Sequence, residues 1–204
     1  EETEKELIQN KIFERIENIA FKNQVKVMNA FSEYKVSESH FMPSSGYGYD
    51  DRGRDTLDSI FARVFEAEDA FVRHTIVSGT QSLCIGLFGL LRTGDTMLSI
   101  TGKPYDTLEE VIGIRGSGNG SLKDYGIKYE QIDLSDGKIN FDAVKESIEK
   151  DPKIKVVFLQ RSKGYSIRPT LSSEEIGKAA EFVHNIKKDI YVVVDNCYGE
   201  FCDE

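Results

Sequence analysis

The run Ile190-Tyr191-Val192-Val193-Val194 leads directly into Asp195 and Asn196. Four of its five residues are β-branched and none is charged, so it reads as a strand buried on both faces, at the centre of a parallel α/β sheet. That constrains the fold strongly, because a sheet buried on both sides needs a layer of helices against each face. An aspartate at the carboxyl end of such a strand lies where open α/β sheets bind ligands. Removing a carboxylate from water without a partner is costly, so Asp195 calls for a cation.

The rest of the chain supplies the helices and further strands. Leu7, Ile8, Ile12, Ile16, Ile19 and Ala20 recur at helical spacing among charges, which predicts an amphipathic helix over 4–21. Residues 41–55, rich in Gly, Ser and Asp, read as a loop carrying Tyr47, Tyr49, Arg52 and Arg54. Thr56 is the expected cap of a helix to about residue 65. Beyond it the pattern alternates. Strands are expected at 71–77, 96–101, 127–134, 155–160 and 190–194, with helices after Ser78, over 106–114, from Asn140 or Asp142 to 150, and from the Leu171-Ser172-Ser173-Glu174-Glu175 capping signal to 188. Strands separated by helices of this length imply βαβ crossovers and a mostly parallel sheet. The expectation is a three-layer α/β domain over 56–204, preceded by a helical arm and an interface loop over 1–55.

Composition narrows the function classes. A net charge of −9 argues against a general nucleic-acid or anionic-membrane binder, since both need basic surface. No apolar run approaches the roughly 20 residues of a membrane helix. Cys84, Cys197 and Cys202 are odd in number and lack metal-ligand spacing, which points to a reducing, cytoplasmic setting and to no metal site. Cys197 is expected to be a small buried hydrophobe, and His40, His74 and His184 to be structural.

Ser78-Gly79-Thr80 opens a helix, where free backbone N–H groups and the helix dipole favour an anion such as phosphate. A Ser-Gly turn is also common at any helix start, so this signal is ambiguous by itself. Tyr105 follows the next strand and Asp195 ends the last one. A phosphate cradle, an aromatic platform and a buried carboxylate on one sheet edge suit a phosphorylated, planar, cationic heteroaromatic. Pyridoxal 5′-phosphate fits, with Asp195 pairing with the protonated ring nitrogen. Nucleotides fit less well, because neither a Walker sequence nor a dinucleotide glycine fingerprint is present.

The chain resembles the fold-type I pyridoxal-phosphate enzymes of the aspartate aminotransferase-like fold. Within them it is most similar to the cystathionine and methionine γ-lyase relatives that include the bacterial aluminium resistance protein group. The matching residues are Gly46-Tyr47-Gly48-Tyr49-Asp50-Asp51-Arg52-Gly53-Arg54-Asp55-Thr56-Leu57, Val77-Ser78-Gly79-Thr80-Gln81-Ser82, Leu90-Leu91-Arg92-Thr93-Gly94-Asp95 and Val193-Val194-Asp195-Asn196. The resemblance implies that Gly79 and Thr80, beside Ser78, bind the cofactor phosphate, that Tyr105 stacks on the pyridine ring, and that Asp195 holds its nitrogen. It also implies that Tyr49, with Arg52 or Arg54, reaches the phosphate of a neighbouring subunit in a homodimer or homotetramer. The relatives' asparagine after the Val156–Leu159 strand has no counterpart, since Gly164 falls at that position; the contact is expected to be lost or passed to Arg161 or Ser162. The family's Schiff-base lysine is expected some tens of residues past Asp195, beyond Glu204, along with a C-terminal subdomain, so this stretch alone is expected to be inactive.

The resemblance implies a pyridoxal-phosphate-dependent carbon–sulfur lyase acting by β- or γ-elimination on a sulfur-containing amino acid. An aminotransferase of the same fold and a non-catalytic, stress-related binding protein remain as alternatives.

Overall fold

The computed structural model describes residues 1–45, 47 and 51–203. The chain forms two compact units, one of residues 1–77 with 201–204 and one of residues 78–200.

The first unit is helical. The amphipathic stretch that opens the chain is broken into α1 (Glu2–Gln9) and α2 (Ile12–Glu33), where the single helix expected over 4–21 would be continuous. The break is at Lys11, whose φ of 54° is left-handed and cannot propagate a right-handed helix. Beyond a short 3₁₀ turn (Glu38–Phe41), α3 (Arg52–Val64) begins four residues before the expected Thr56 cap, because Asp51 caps it by accepting from the Arg54 N–H. Gly53 is required there: a Cβ would collide with the His40 carbonyl. Ala30, Ile60 and Val64 form a small core between α2 and α3, with Val27 and Val36 packed against it.

Residues 71–77 are irregular, which corrects the expectation of a strand. The backbone there is committed to side chains: the Val72 N–H donates to Asp58 Oδ1 at 2.7 Å, and the Arg73 guanidinium pairs with the same carboxylate at 2.7 Å. An N–H held in this way is unavailable to a sheet ladder.

The second unit is α/β. Its helices α4 (Gly79–Leu90), α5 (Asp106–Ile112), α6 (Phe141–Lys150) and α7 (Ser173–Ile186) alternate with strands β1 (Thr96–Ser99), β2 (Lys128–Gln131), β3 (Ile154–Gln160) and β4 (Tyr191–Asp195). The four strands form one parallel sheet in the order β2-β1-β3-β4. Alternate side chains of the strands enter two separate cores. Leu98, Ile100, Val157 and Leu159 pack with Val144 and Ile148 of α6 and Ala179 and Val183 of α7. Met97, Val156 and Phe158 pack with Leu87 of α4 and Leu108 and Ile112 of α5. The sheet is therefore sandwiched between two helical layers.

Among the described residues the strand buried on both faces is β3, where the sequence reading put 190–194 at the centre. β4 pairs with β3 alone among the described residues; Tyr191 is 47% exposed and Val192–Val194 are half-buried. Asn140 and Ser172 cap α6 and α7, the latter with a reciprocal Ser172–Glu175 capping box. No helix among the described residues is long and apolar enough to cross a membrane.

Candidate active site

The carboxyl ends of β1, β3 and β4 and the start of α4 surround a cavity of about 430 Å³, within the roughly 300–1,000 Å³ typical of small-molecule sites. Gly79, Thr80, Tyr105 and Asp195 all line it. They lie far apart in sequence and meet because a parallel sheet brings every strand's carboxyl end to the same edge.

The α4 start is open to the cavity at Gly79. Ser78 serves as the N-cap, its hydroxyl accepting from the Gln81 N–H at 3.2 Å, and it is not among the residues that line the cavity. Gly79 has no heavy atom within 4 Å of where a Cβ would be, so its backbone is approachable. The Thr80 and Thr107 hydroxyls form a 2.6 Å hydrogen bond with each other, and both residues line the cavity. Thr107 escaped the sequence reading because nothing in the local pattern marks which residue after Tyr105 faces Thr80.

Tyr105 is fixed through its backbone. Its N–H donates to Gln160 Oε1 at 2.6 Å, while Gln160 Nε2 donates to the Ser162 carbonyl at 3.1 Å and the Gln160 N–H donates to Thr101 Oγ1 at 2.9 Å. Gln160, buried at the last position of β3, thus ties the loop after β1 to the loop after β3. The signal that could have found it is a polar residue closing an otherwise apolar strand. The Tyr105 phenol is pushed up to about 12, first by its hydrogen bond to Tyr165.

Asp195 is half-buried, and no cationic side chain among the described residues forms an ion pair with it. Its Oδ1 accepts from the Cys197 N–H at 3.1 Å. Burial raises its carboxyl above the ordinary range; the Cys197 hydrogen bond opposes that and the charge of Glu200 adds to it. Cys197 is exposed and lines the cavity, contrary to the expectation of a buried hydrophobe. Its thiol is also raised, first by desolvation and then by Asp195 and Glu200, so the thiolate is disfavoured.

Of the two substitutes expected for the missing asparagine, Ser162 lines the cavity and Arg161 does not. Buried Arg161 instead braces the scaffold, donating to the Leu171 and Gly199 carbonyls and to Asn196 Oδ1. Arg168 does similar work, donating to the Gln160 and Ser162 carbonyls at 3.0 and 2.6 Å.

Arg52 and Arg54 lie in the first turn of α3, which corrects their placement in a loop. Arg52 donates to Ser39 Oγ at 3.0 Å, and Arg54 pairs with Asp51 at 3.2 Å. Tyr49 lies outside the described residues.

The family model for methionine gamma-lyase matches residues 1–204. The chain belongs to the methionine gamma-lyase family. This family member is 53% identical over 195 residues to YnbB of Bacillus subtilis (strain 168), an uncharacterized protein, covering 95% of this chain and 46% of that protein. A solved carbon-sulfur lyase involved in aluminum resistance from Clostridium novyi NT superposes with a TM-score of 0.92 at 50% identity, over 99% of this chain and 48% of that one. A Clostridium acetobutylicum structure, assigned provisionally as a cystathionine beta-lyase involved in aluminum resistance, gives 0.91 at 47% identity, over 96% and 47%. The match to the aluminium resistance group stated from the sequence therefore holds. At 15% identity, the pyridoxal-5′-phosphate dependent protein YhfS of Escherichia coli superposes with a TM-score of 0.60, a likeness of fold alone. The chain spans about half the length of the relatives it matches.

Proposed function

We propose that this chain forms the cofactor-holding part of a pyridoxal-phosphate-dependent carbon–sulfur lyase that acts on a sulfur-containing amino acid by β- or γ-elimination. The observation that carries this reading is the convergence of Gly79, Thr80, Tyr105 and Asp195 on one cavity, with no ion pair to Asp195 among the described residues. Names of the solved relatives, which include a carbon-sulfur lyase, support the reaction class.

The donor set suits the group. The Gly79 and Thr80 N–H groups at the positive end of α4, with the Thr80 and Thr107 hydroxyls, would take a phosphate. Tyr105 would offer its ring to the pyridine. The Asp195 carboxylate, with no ion pair among the described residues, would favour a protonated ring nitrogen by its charge, and that pair would offset the cost of its desolvation. Pyridoxal phosphate, when bound, supplies an electron sink for negative charge developing at the amino acid's α-carbon. A homodimer or homotetramer, in which Tyr49 with Arg52 or Arg54 meets a neighbouring subunit's phosphate, belongs to the same proposal, as does a cytoplasmic setting for the three free thiols.

The complete polypeptide, purified, should carry the visible absorbance of bound pyridoxal phosphate and release keto acid and ammonia from a sulfur-containing amino acid. Conversion of the cofactor to its amine form would favour an aminotransferase instead. A colourless protein that gains no absorbance when the cofactor is added overturns the proposal. Asp195→Asn should weaken cofactor retention by roughly tenfold or more, the value of a hydrogen bond to a charged group, measured by equilibrium dialysis.

A further inference from the structure

Tyr165 is 88% exposed, so folding gains little by ordering it, yet its ring is held. It lies against the Tyr105 ring with centroids 5.8 Å apart and planes 29° apart, and the two hydroxyls are 3.3 Å from each other. The turn that delivers it is specific. Gly164 adopts a left-handed φ of 55°, and a Cβ there would stand 3.6 Å from Tyr105 Cδ2 and 3.5 Å from Gln160 Nε2. The Ser166 N–H and hydroxyl both donate to the Lys163 carbonyl, at 3.1 and 2.5 Å, and close the turn. Tyr105 lines the cavity and Tyr165 does not.

We propose that Tyr165 is a positioning residue: stacked on Tyr105, it fixes that ring as a flat platform for a planar heteroaromatic ligand in the cavity. Tyr105 needs such help. Gln160 fixes its backbone N–H but not χ1 and χ2, and a platform ring that samples several orientations binds a flat ligand less well. The stack and the hydroxyl pair together select one orientation. The Tyr105 phenol is raised, first by its hydrogen bond to Tyr165.

This inference rests on the proposed cofactor site, and the test separates the two. In the complete polypeptide, stripped of cofactor, dialysis against pyridoxal phosphate would be compared for the parent, Tyr165→Phe and Tyr165→Leu, with the Tyr105 phenol followed by NMR of ring-labelled tyrosine and assigned with Tyr105→Phe. Tyr165→Leu should weaken binding roughly two- to tenfold, the range of an aromatic pair interaction. Tyr165→Phe keeps the ring and should restore affinity to within about twofold. In both variants the Tyr105 titration should fall from about 12 towards its ordinary value of about 10. Unchanged affinity in Tyr165→Leu, or a Tyr105 titration that moves in neither variant, overturns the inference. A parent protein that does not bind the cofactor overturns the site reading, and the Tyr105 titration in the stripped protein then decides whether the Tyr165 coupling exists. Because Tyr165 is so exposed, neither substitution threatens the fold.

Discussion

Two neighbouring strands, alike in sequence, do different work. β3 (Ile154–Gln160) and β4 (Tyr191–Asp195) are both short apolar runs rich in β-branched residues, and each ends in a polar side chain; in the register of the sheet Gln160 lies opposite Asp195. β3 lies between β1 and β4, and every residue except Lys155 is buried. β4 has a partner on one side only among the described residues and is half-open throughout. The end groups differ in the same way. Gln160 has its amide and backbone hydrogen-bonded to Thr101, Tyr105 and Ser162, whereas Asp195 has the Cys197 N–H and, among the described residues, no ion pair. Among the described residues, the strand with neighbours on both sides is fully packed, and the strand with one neighbour ends in a carboxylate that forms no ion pair.

The sharpest way to break this comparison is to truncate one core residue in each strand. Phe158→Ala removes a fully buried ring from the α4/α5 side and should cost about 3–5 kcal/mol. Val193→Ala, half-buried against the same core, should cost no more than about 1 kcal/mol. Urea unfolding of both variants measures the difference, and equal losses would mean that the two strands share the load.

A smaller effect is expected at the strand ends. Gln160→Ala leaves the Tyr105 N–H and the Ser162 carbonyl without their partner and should cost about 1–3 kcal/mol. Hydrogen exchange should then quicken at Tyr105, and an unchanged Tyr105 amide would remove Gln160 from its role as the tie between the two loops.

The smallest effect has the opposite sign. Because folding raises the Asp195 carboxyl, its ionised form is disfavoured in the folded state, and this costs stability once the pH exceeds the unfolded value. Without ligand, Asp195→Asn should therefore stabilise at neutral pH, by about 0.5 kcal/mol or less for a half-buried site. The gain should vanish below the ordinary aspartate value of about 3.9, where the parent carboxyl is protonated in both states. Thermal melts at neutral and acid pH read this directly; a destabilised Asn variant at neutral pH would show that the carboxylate has a partner after all.

The parts of the site that were legible in the sequence are those with local causes. Ser78 and Gly79 announce a helix start by capping chemistry, and Asp195 announces itself by closing an apolar β-branched run. Other elements depended on partners that no local pattern names. The run 71–77 has the composition of a strand but spends its N–H on Asp58, and the arginines assigned to a loop were drawn into α3 because Asp51 caps it early. Gln160, Thr107 and Tyr165 reach the site through register and loop closure across 55, 27 and 60 residues of sequence.

By itself the sequence determined the α/β alternation, the parallel sheet and the family, because periodicity, capping residues and motif order are written along the chain. Only the tertiary structure decided which apolar strand has neighbours on both sides among the described residues, which polar side chain is satisfied and which tyrosine supports Tyr105. Burial and hydrogen-bond partners belong to positions in the assembled sheet, and two runs of nearly the same composition acquire different roles once one of them has neighbours on both sides.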